Sequence, residues 1–402
     1  MKKNIPKNYY STNTEIAEKF GVSEGAVRNW IKGAKEGRNN LQLIQEGKRF
    51  YIKDNEHNNL VLFRLAEKGK VHKMSSSRKV TSPKKEFYEI FNKEQIIEII
   101  YNLKQNQIPV KFTYFDMGAD YWNSYVNGNS RLYTDELKGL ETIRASIEYI
   151  KIRLRAFKKV NVLDIGTGNG LPIKLLLTEL KKAGFELTYS AFDISSSMLK
   201  ILEKNLNNWF PDMKKHFTQT DIEHNNLRTH TFELHGGNLN SANLLLFLGS
   251  TVGNSNERDS ILKNIKNSMS ENDFLLLDAE IKSKNDFKLV TKYLVLEPIK
   301  GLDMWVLNKL NLEDCLELSI EYLDDIDAVC HIFIFDKDVE LKFEVEGVTY
   351  KVCYRKKDKL LGHFVHSFTK KEVLELVKNS GLRLTLMSEF PDRSEVFMMC
   401  ER

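Results

Sequence analysis

Apolar residues recur along this chain with two different periods, and the switch between them lays out the expected architecture. Near the start, Ile16, Ala17 and Phe20 share one helical face and Gly21 supplies a turn. Thr14 is expected to cap this first helix and Ser23 the next. In the second helix Ala26, Val27, Trp30 and Ile31 form the inner side, leaving Glu24, Arg28, Asn29 and Lys32 outside. Residues 41–44 and 49–52 then alternate about Glu46-Gly47, as the arms of a hairpin do. From Lys68 to Lys85 the pattern breaks into a basic stretch centred on Ser75, Ser76, Ser77, Arg78 and Lys79, which predicts a flexible linker. Helical periodicity returns from Glu86 to Leu103.

Beyond residue 159, short apolar runs alternate with amphipathic helices, the pattern of a parallel sheet covered by helices on both faces. The expected strands fall near residues 160–165, 188–192, 244–248 and 274–277. The expected divisions are residues 1–67, a basic linker at 68–92, and an α/β unit at 93–402. Residues 283–361 lie between the strand at 274–277 and the last part of the sheet, and are expected to form an inserted lid over a substrate.

Composition narrows this picture. With 402 residues, 42% apolar and 29% charged, and only 7 prolines, the chain is expected to fold into two or three globular units. No apolar run reaches the roughly 18 residues needed to cross a bilayer. No membrane partner is expected, and the cytoplasm is the expected location. Four scattered cysteines, Cys315, Cys330, Cys353 and Cys400, show no CxxC spacing, so neither a zinc site nor a disulfide framework is expected. Charge is unevenly spread: residues 1–90 hold 19 Lys and Arg against 10 Asp and Glu, although the whole chain is only +5. A basic first part on an acidic body suggests DNA contact through residues 10–53, with a solvated surface as the plainer alternative.

The chemistry concentrates at V-N-V-L-D-I-G-T-G-N-G-L-P-I-K, where a strand ends in Asp164 and a turn containing Gly166, Gly168 and Gly170 opens a helix. Glycine allows positive φ and close approach of a ligand to the main chain. A second strand ends at Asp193, where an acid can accept hydrogen bonds from two ribose hydroxyls. Asp221 follows the third strand, where an adenine amino group is typically read. The glycine spacing departs from GxGxxG and no basic cluster awaits a pyrophosphate. S-adenosylmethionine, which has a sulfonium and no phosphate, suits these acids better than a dinucleotide does. The plainer alternative is that Asp164 and Asp193 only cap helices.

Two resemblances sharpen these expectations. The first 55 residues resemble winged helix-turn-helix modules. Residues 108–402 resemble the histidine-specific methyltransferases of ergothioneine biosynthesis, on L-L-L-F-L-G-S-T-V-G-N at 244–254, F-D-I-S at 192–195, Y-F-D-M-G-A-D-Y-W at 114–122, L-Y-T-D-E at 132–136 and the terminal hairpin at 389–399. That resemblance implies a Rossmann-like class I methyltransferase sheet with a substrate-lid subdomain, preceded by a small winged helix-turn-helix domain. It implies S-adenosyl-L-methionine bound by Asp164, Gly166, Gly168, Lys174, Asp193 and Asp221. Lys174 matches the family lysine, and Asn254 the asparagine that holds the amino-acid substrate. Asn254, Tyr133 and Asp221 are the expected catalytic residues. Tyr114, Tyr133, Asn254, Trp305 and His363 are expected around the acceptor, with Tyr125 beside them and His366 near the mouth.

This chain departs from the family at G-H-F-V-H-S-F-T, residues 362–369, where His363 and Val365 align with the Glu and Ser that hold an imidazole. Free histidine is therefore not the expected acceptor, and restoring Glu and Ser there is expected to raise histidine turnover. The acceptor is expected to be an amine of an amino acid, small amine or peptide, and no metal is expected. A nucleic-acid methyltransferase and a sensor of S-adenosylmethionine are the alternatives. Against the former, there is neither an Asp/Asn-Pro-Pro-aromatic motif nor a Pro-Cys nucleophile.

Overall fold

The N-terminal elements follow from local caps and one shared core. A computed structural model of the protein describes residues 9–10, 12–46, 49–73, 78–127, 134–235, 240–255, 257–282, 294–324, 326–390 and 395–402. Helix α1 (Asn13–Lys19) is capped by Thr12, whose hydroxyl accepts the Glu15 N–H; Thr14, the expected cap, lies inside the helix instead. Helix α2 (Glu24–Lys35) starts at Ser23 as expected, with the hydroxyl accepting the Ala26 N–H at 3.2 Å. Strands β1 (Leu43–Glu46) and β2 (Arg49–Ile52) pair antiparallel, and helix α3 (Glu56–Lys73) follows. Tyr10, Ile16, Val27, Leu41, Ile52 and Leu62 form the buried centre.

The expected linker at 68–92 is largely structured. Helix α3 runs to Lys73, strand β3 (Lys79–Thr81) follows, and helix α4 (Lys85–Ile90) begins the second unit. The Ser-rich residues 74–77 lie outside the described residues. Asn92 then caps α5 (Lys93–Lys104) in a capping box with Gln95, so the single helical pattern from Glu86 to Leu103 is two helices.

The apolar runs from residue 159 onward form the centre of a seven-stranded sheet. Strands β4 (Lys159–Ile165), β5 (Glu186–Asp193), β6 (Lys214–Gln219), β7 (Ser241–Phe247) and β8 (Phe274–Glu280) are parallel. Strand β15 (Glu395–Glu401) runs antiparallel between β8 and β14 (Arg383–Glu389), giving the order β14-β15-β8-β7-β4-β5-β6. Helices α6 (Met117–Asn127), α7 (Thr134–Leu154), α8 (Leu171–Lys182) and α9 (Ser196–Trp209) precede or follow β4 and β5 in the chain. One apolar layer, including Val162, Leu176, Leu202 and Leu244, packs on one face of the sheet; the other, including Leu163, Leu245, Leu262 and Leu275, packs on the opposite face. Alternate residues of a strand point to opposite faces, so a strand buried on both reads as a continuous apolar run.

The segment expected as one insertion, 283–361, is divided. Helix Glu297–Lys309 and strands β9 (Leu316–Leu323), β10 (Ala328–Phe335) and β13 (Lys359–Val365) belong to the second unit, apart from Phe335. Residues 335–358, with hairpin β11 (Val339–Val345) and β12 (Val348–Tyr354), belong to the N-terminal unit. There β11 pairs parallel with β3. A parallel partner has no local turn signal, so period alone could not announce it. No helix among the described residues is long and apolar enough to cross a membrane.

Candidate active site

The carboxyl ends of β4 and β5 build the first half of the site. Asp164, 3% exposed, accepts the Tyr189 hydroxyl at 2.5 Å. Burial pushes its carboxyl up to about 7, although the Tyr189 hydrogen bond opposes the shift. Gly166, Gly168 and Gly170 all have positive φ, and the Gly166 N–H donates to the Phe192 carbonyl at 2.9 Å. A Cβ at Gly166 would lie 3.2 Å from Thr251 Cγ2, and one at Gly170 only 2.3 Å from Leu202 Cδ1. The turn must therefore be glycine for both its dihedrals and its space. Asp193 accepts N–H groups from Thr167 at 3.1 Å and Ser195 at 2.8 Å. Burial pushes it up to about 6, and those N–H groups oppose the shift.

After β6, the Asp221 carboxylate accepts the Glu223 N–H at 2.9 Å through Oδ1 and the Lys111 ammonium at 2.7 Å through Oδ2. Lys111 lies on the short 3-10 segment Val110–Tyr114, and its Nζ is also 2.7 Å from Glu98 and from Glu223. Burial disfavours the charged form, but these carboxylates outweigh it and hold Lys111 above the ordinary lysine range. Glu98, Glu223 and His224 bring possible ligand atoms within 4.8 Å of one another, but an ammonium already bonds the two glutamates.

The loop after β7 forms the other half. Asp278, on β8, accepts the Gly249 N–H at 3.0 Å and the Ser250 N–H at 2.7 Å, holding Ser250 at φ +53. Burial pushes Asp278 up to about 6 against those two bonds. The loop then enters the turn Thr251–Asn254, where a Cβ at Gly253 would sit 2.8 Å from the His366 carbonyl oxygen. This close approach places Asn254 in the wall of one cavity of about 740 Å³, shared with Asp164, Gly166, Gly168, Asp193 and Asp221. Tyr114, Trp122 and Tyr125 line it too, with Trp122 5.5 Å from each tyrosine ring. Glu257, Asp278, Glu280 and Glu395 complete a strongly acidic lining, in which Lys111 is the single Lys or Arg among the described residues. Glu280 and Glu395 stand directly opposite each other on neighbouring strands.

Several expected residues lie elsewhere. Lys174 is exposed on α8 with its ammonium 4.7 Å from the Trp209 ring, while Pro172 and Ile173 take the cavity positions; one helical step turns it away. Trp305 is core: it is 5% exposed, stacks on Phe91 at 6.0 Å and is not among the lining residues. His363 is 1% exposed and also absent from the lining, which takes its neighbour Phe364 because strand residues alternate. Its N–H donates to Asp303, which also bonds His331 Nδ1 at 2.7 Å. Burial pushes His363 down to about 4, with Asp303 opposing. His366 is half-buried with Nδ1 3.3 Å from the Ile326 carbonyl oxygen, and does not line the cavity either. Tyr133 lies outside the described residues. Trp122, Lys111 and Asp278 escaped the sequence reading. Asp278 had a usable signal, since F-L-L-L-D ends a buried parallel strand in an acid as V-N-V-L-D does.

The glycine cradle, the buried strand-end acids and the cavity volume fit S-adenosylmethionine. Among solved structures, magnesium protoporphyrin IX methyltransferase from Synechocystis PCC 6803 with bound SAH is similar, at 12% identity over 73% of this chain and 98% of that one, with a TM-score of 0.41. The PH0226 protein from Pyrococcus horikoshii OT3 is 13% identical over 70% and 98%, with a TM-score of 0.38. The glycopeptide N-methyltransferase MtfA complexed with SAH is 13% identical over 64% and 89%, with a TM-score of 0.32. No curated protein matches. The model of the histidine-specific, SAM-dependent methyltransferases matches residues 93–400, so the chain belongs to that family and is an S-adenosylmethionine-dependent methyltransferase.

Proposed function

We propose that the enzyme methylates an amine of an amino acid, a small amine or a peptide; His363, on which the sequence argument against free histidine rested, lies outside the cavity, so histidine stays among the candidate acceptors. The observation that carries this reading is the single cavity joining the donor-side acids to Asn254, the Asp278-held loop and an aromatic wall. Its acidic lining favours a cationic ligand, and the donor's sulfonium and an alkylammonium acceptor are both cations. Asp164 faces the methionine end of the donor, Asp193 the ribose and Asp221 the adenine. When bound, S-adenosylmethionine supplies an activated methyl group on sulfur.

Methyl transfer is an in-line displacement, so alignment and exclusion of water supply much of the rate. The amine must be neutral to attack. Asn254 orients it, and the raised carboxyl of Asp278, next to that loop, is suited to receive its proton. Tyr114, Trp122 and Tyr125 pack the acceptor's apolar part, and Ile299 and Leu302 of helix Glu297–Lys309 share a buried cluster with Tyr125 that backs this wall. The N-terminal unit contacts DNA through residues 10–53; support comes from Arg28, Asn29 and Lys32, which are exposed along α2.

Incubation with labelled donor and a panel of histidine, other amino acids, amines, peptides and duplex DNA, read by mass spectrometry, tests the acceptor. Methyl label on an amine that falls at least a hundredfold with Asn254→Ala is expected. Label on DNA bases alone, or on no amine of the panel, sinks the proposal.

A further inference from the structure

We propose that Lys111 is a positioning residue for the donor: its ammonium holds the Asp221 carboxylate in the orientation that reads the adenine amino group. The inference rests on the proposed placement of adenine at Asp221. Three carboxylates from two segments, Glu98 on α5 and Asp221 and Glu223 after β6, each reach Lys111 Nζ at 2.7 Å. With their oxygens converging on one nitrogen, they would repel one another strongly if the ammonium were absent. The relief open to Asp221 is to swing outward, because its side chain is still 18% exposed.

The hydrogen-bond geometry shows what such a swing would undo. Oδ2 is held by Lys111, and Oδ1 by the Glu223 N–H. Each carboxylate oxygen has two lone pairs, so Oδ1 keeps one for an N–H donor in the cavity that Asp221 lines. An adenine 6-amino group is such a donor; a 6-carbonyl is not, and would face the carboxylate as a second acceptor. Lys111 itself is 13% exposed, and its other polar contacts are carboxylates, so the side chain is locked. The same bonds tie the 3-10 segment, which carries Tyr114, to the adenine end of the site.

The experiment is calorimetric titration of the full chain with S-adenosylhomocysteine and with S-inosylhomocysteine, which replaces the amino group by a carbonyl. The parent protein is expected to prefer the adenosyl compound by about tenfold or more, as a charge-assisted hydrogen bond allows. In Lys111→Met that preference should collapse to within about threefold, chiefly by loss of adenosyl affinity. A Lys111→Met protein that keeps the parental ratio, whether its affinities are unchanged or weakened equally, makes Lys111 a simple brace and overturns the proposal. Should Lys111→Met melt below the assay temperature, Lys111→Arg decides: a folded Arg variant should keep the preference, and its loss would overturn the idea. If the parent shows no preference, the adenine placement fails and takes this inference with it, while the amine-methylation reading is judged separately by label transfer.

Discussion

At the residue scale, the acids of the site are poised by burial, and this has a testable sign. Burial pushes Asp164 up to about 7, and in the proposed placement a sulfonium beside it would favour its ionised form. Donor binding therefore releases a proton, so affinity is full above the free-protein value and declines as pH falls below it. Asp193, raised to about 6, titrates in the same region but affects donor and product alike. The affinity ratio of S-adenosylmethionine to S-adenosylhomocysteine should accordingly rise between about pH 5.5 and 7.5, by at most about tenfold per unit. Asp164→Asn should flatten that rise, and its ligand-free melting temperature at pH 8 should be no lower than the parent's, since a buried charge is removed while Tyr189 keeps an acceptor. A ratio independent of pH in the parent would refute the placement of Asp164. His363 revises an expectation: exchanged for Glu it would set a second carboxylate in the buried neighbourhood of Asp303, so His363→Glu should lower the melting temperature and leave histidine turnover unimproved. Gly118 offers a packing test. An added Cβ would lie 1.7 Å from the Thr113 carbonyl oxygen and 2.3 Å from Trp305 Nε1, so Gly118→Ala should cost more than the usual range of about 1–3 kcal/mol for overpacking, measured by urea unfolding.

At the element scale, the parallel pairing of β3 with β11 gives the N-terminal unit two strands from a segment more than 250 residues away in sequence. That pairing is short, three residues on each side, and β12 extends it antiparallel. The chain leaves and re-enters at neighbouring points, because the Phe335 N–H donates to the Asp358 carbonyl at 3.0 Å and the Lys357 N–H to the Phe335 carbonyl at 2.7 Å. Residues 337–356 can therefore be replaced by a short Gly-containing turn. The expected result is donor affinity within about threefold of the parent, because the donor lining lies in the other unit, and faster proteolysis within residues 9–82. Loss of donor binding in a protein with an intact main melting transition would show that the hairpin supports the site.

At the scale of the whole molecule, the first 90 residues carry an excess of basic side chains while the cavity lining is acidic. If residues 10–53 engage a duplex, binding to the full chain should weaken steeply with salt, and replacing Arg28 and Lys32 together should reduce the slope of log affinity against log salt by about two. Binding to duplex DNA that ignores salt, or none at low salt, would leave that unit a protein-contact module. What the sequence determined by itself was whatever is local and periodic. The strand, glycine turn and helix from Val160 to Lys182, the acids ending β4 and β5 and the Ser23 cap were legible, because each is set by neighbours a few residues away. Membership of the cavity was less legible, since it depends on the phase of elements set by distant packing. Lys174 falls one helical step outside, His363 one strand position outside, and Trp305 is taken into the aromatic core with Phe91. The ion cluster on Lys111 and the β3–β11 pair were invisible for the same reason. Lys111 and Asp221 lie 110 residues apart and β3 and β11 more than 250, and long-range contacts arise only when the folded chain brings their segments together.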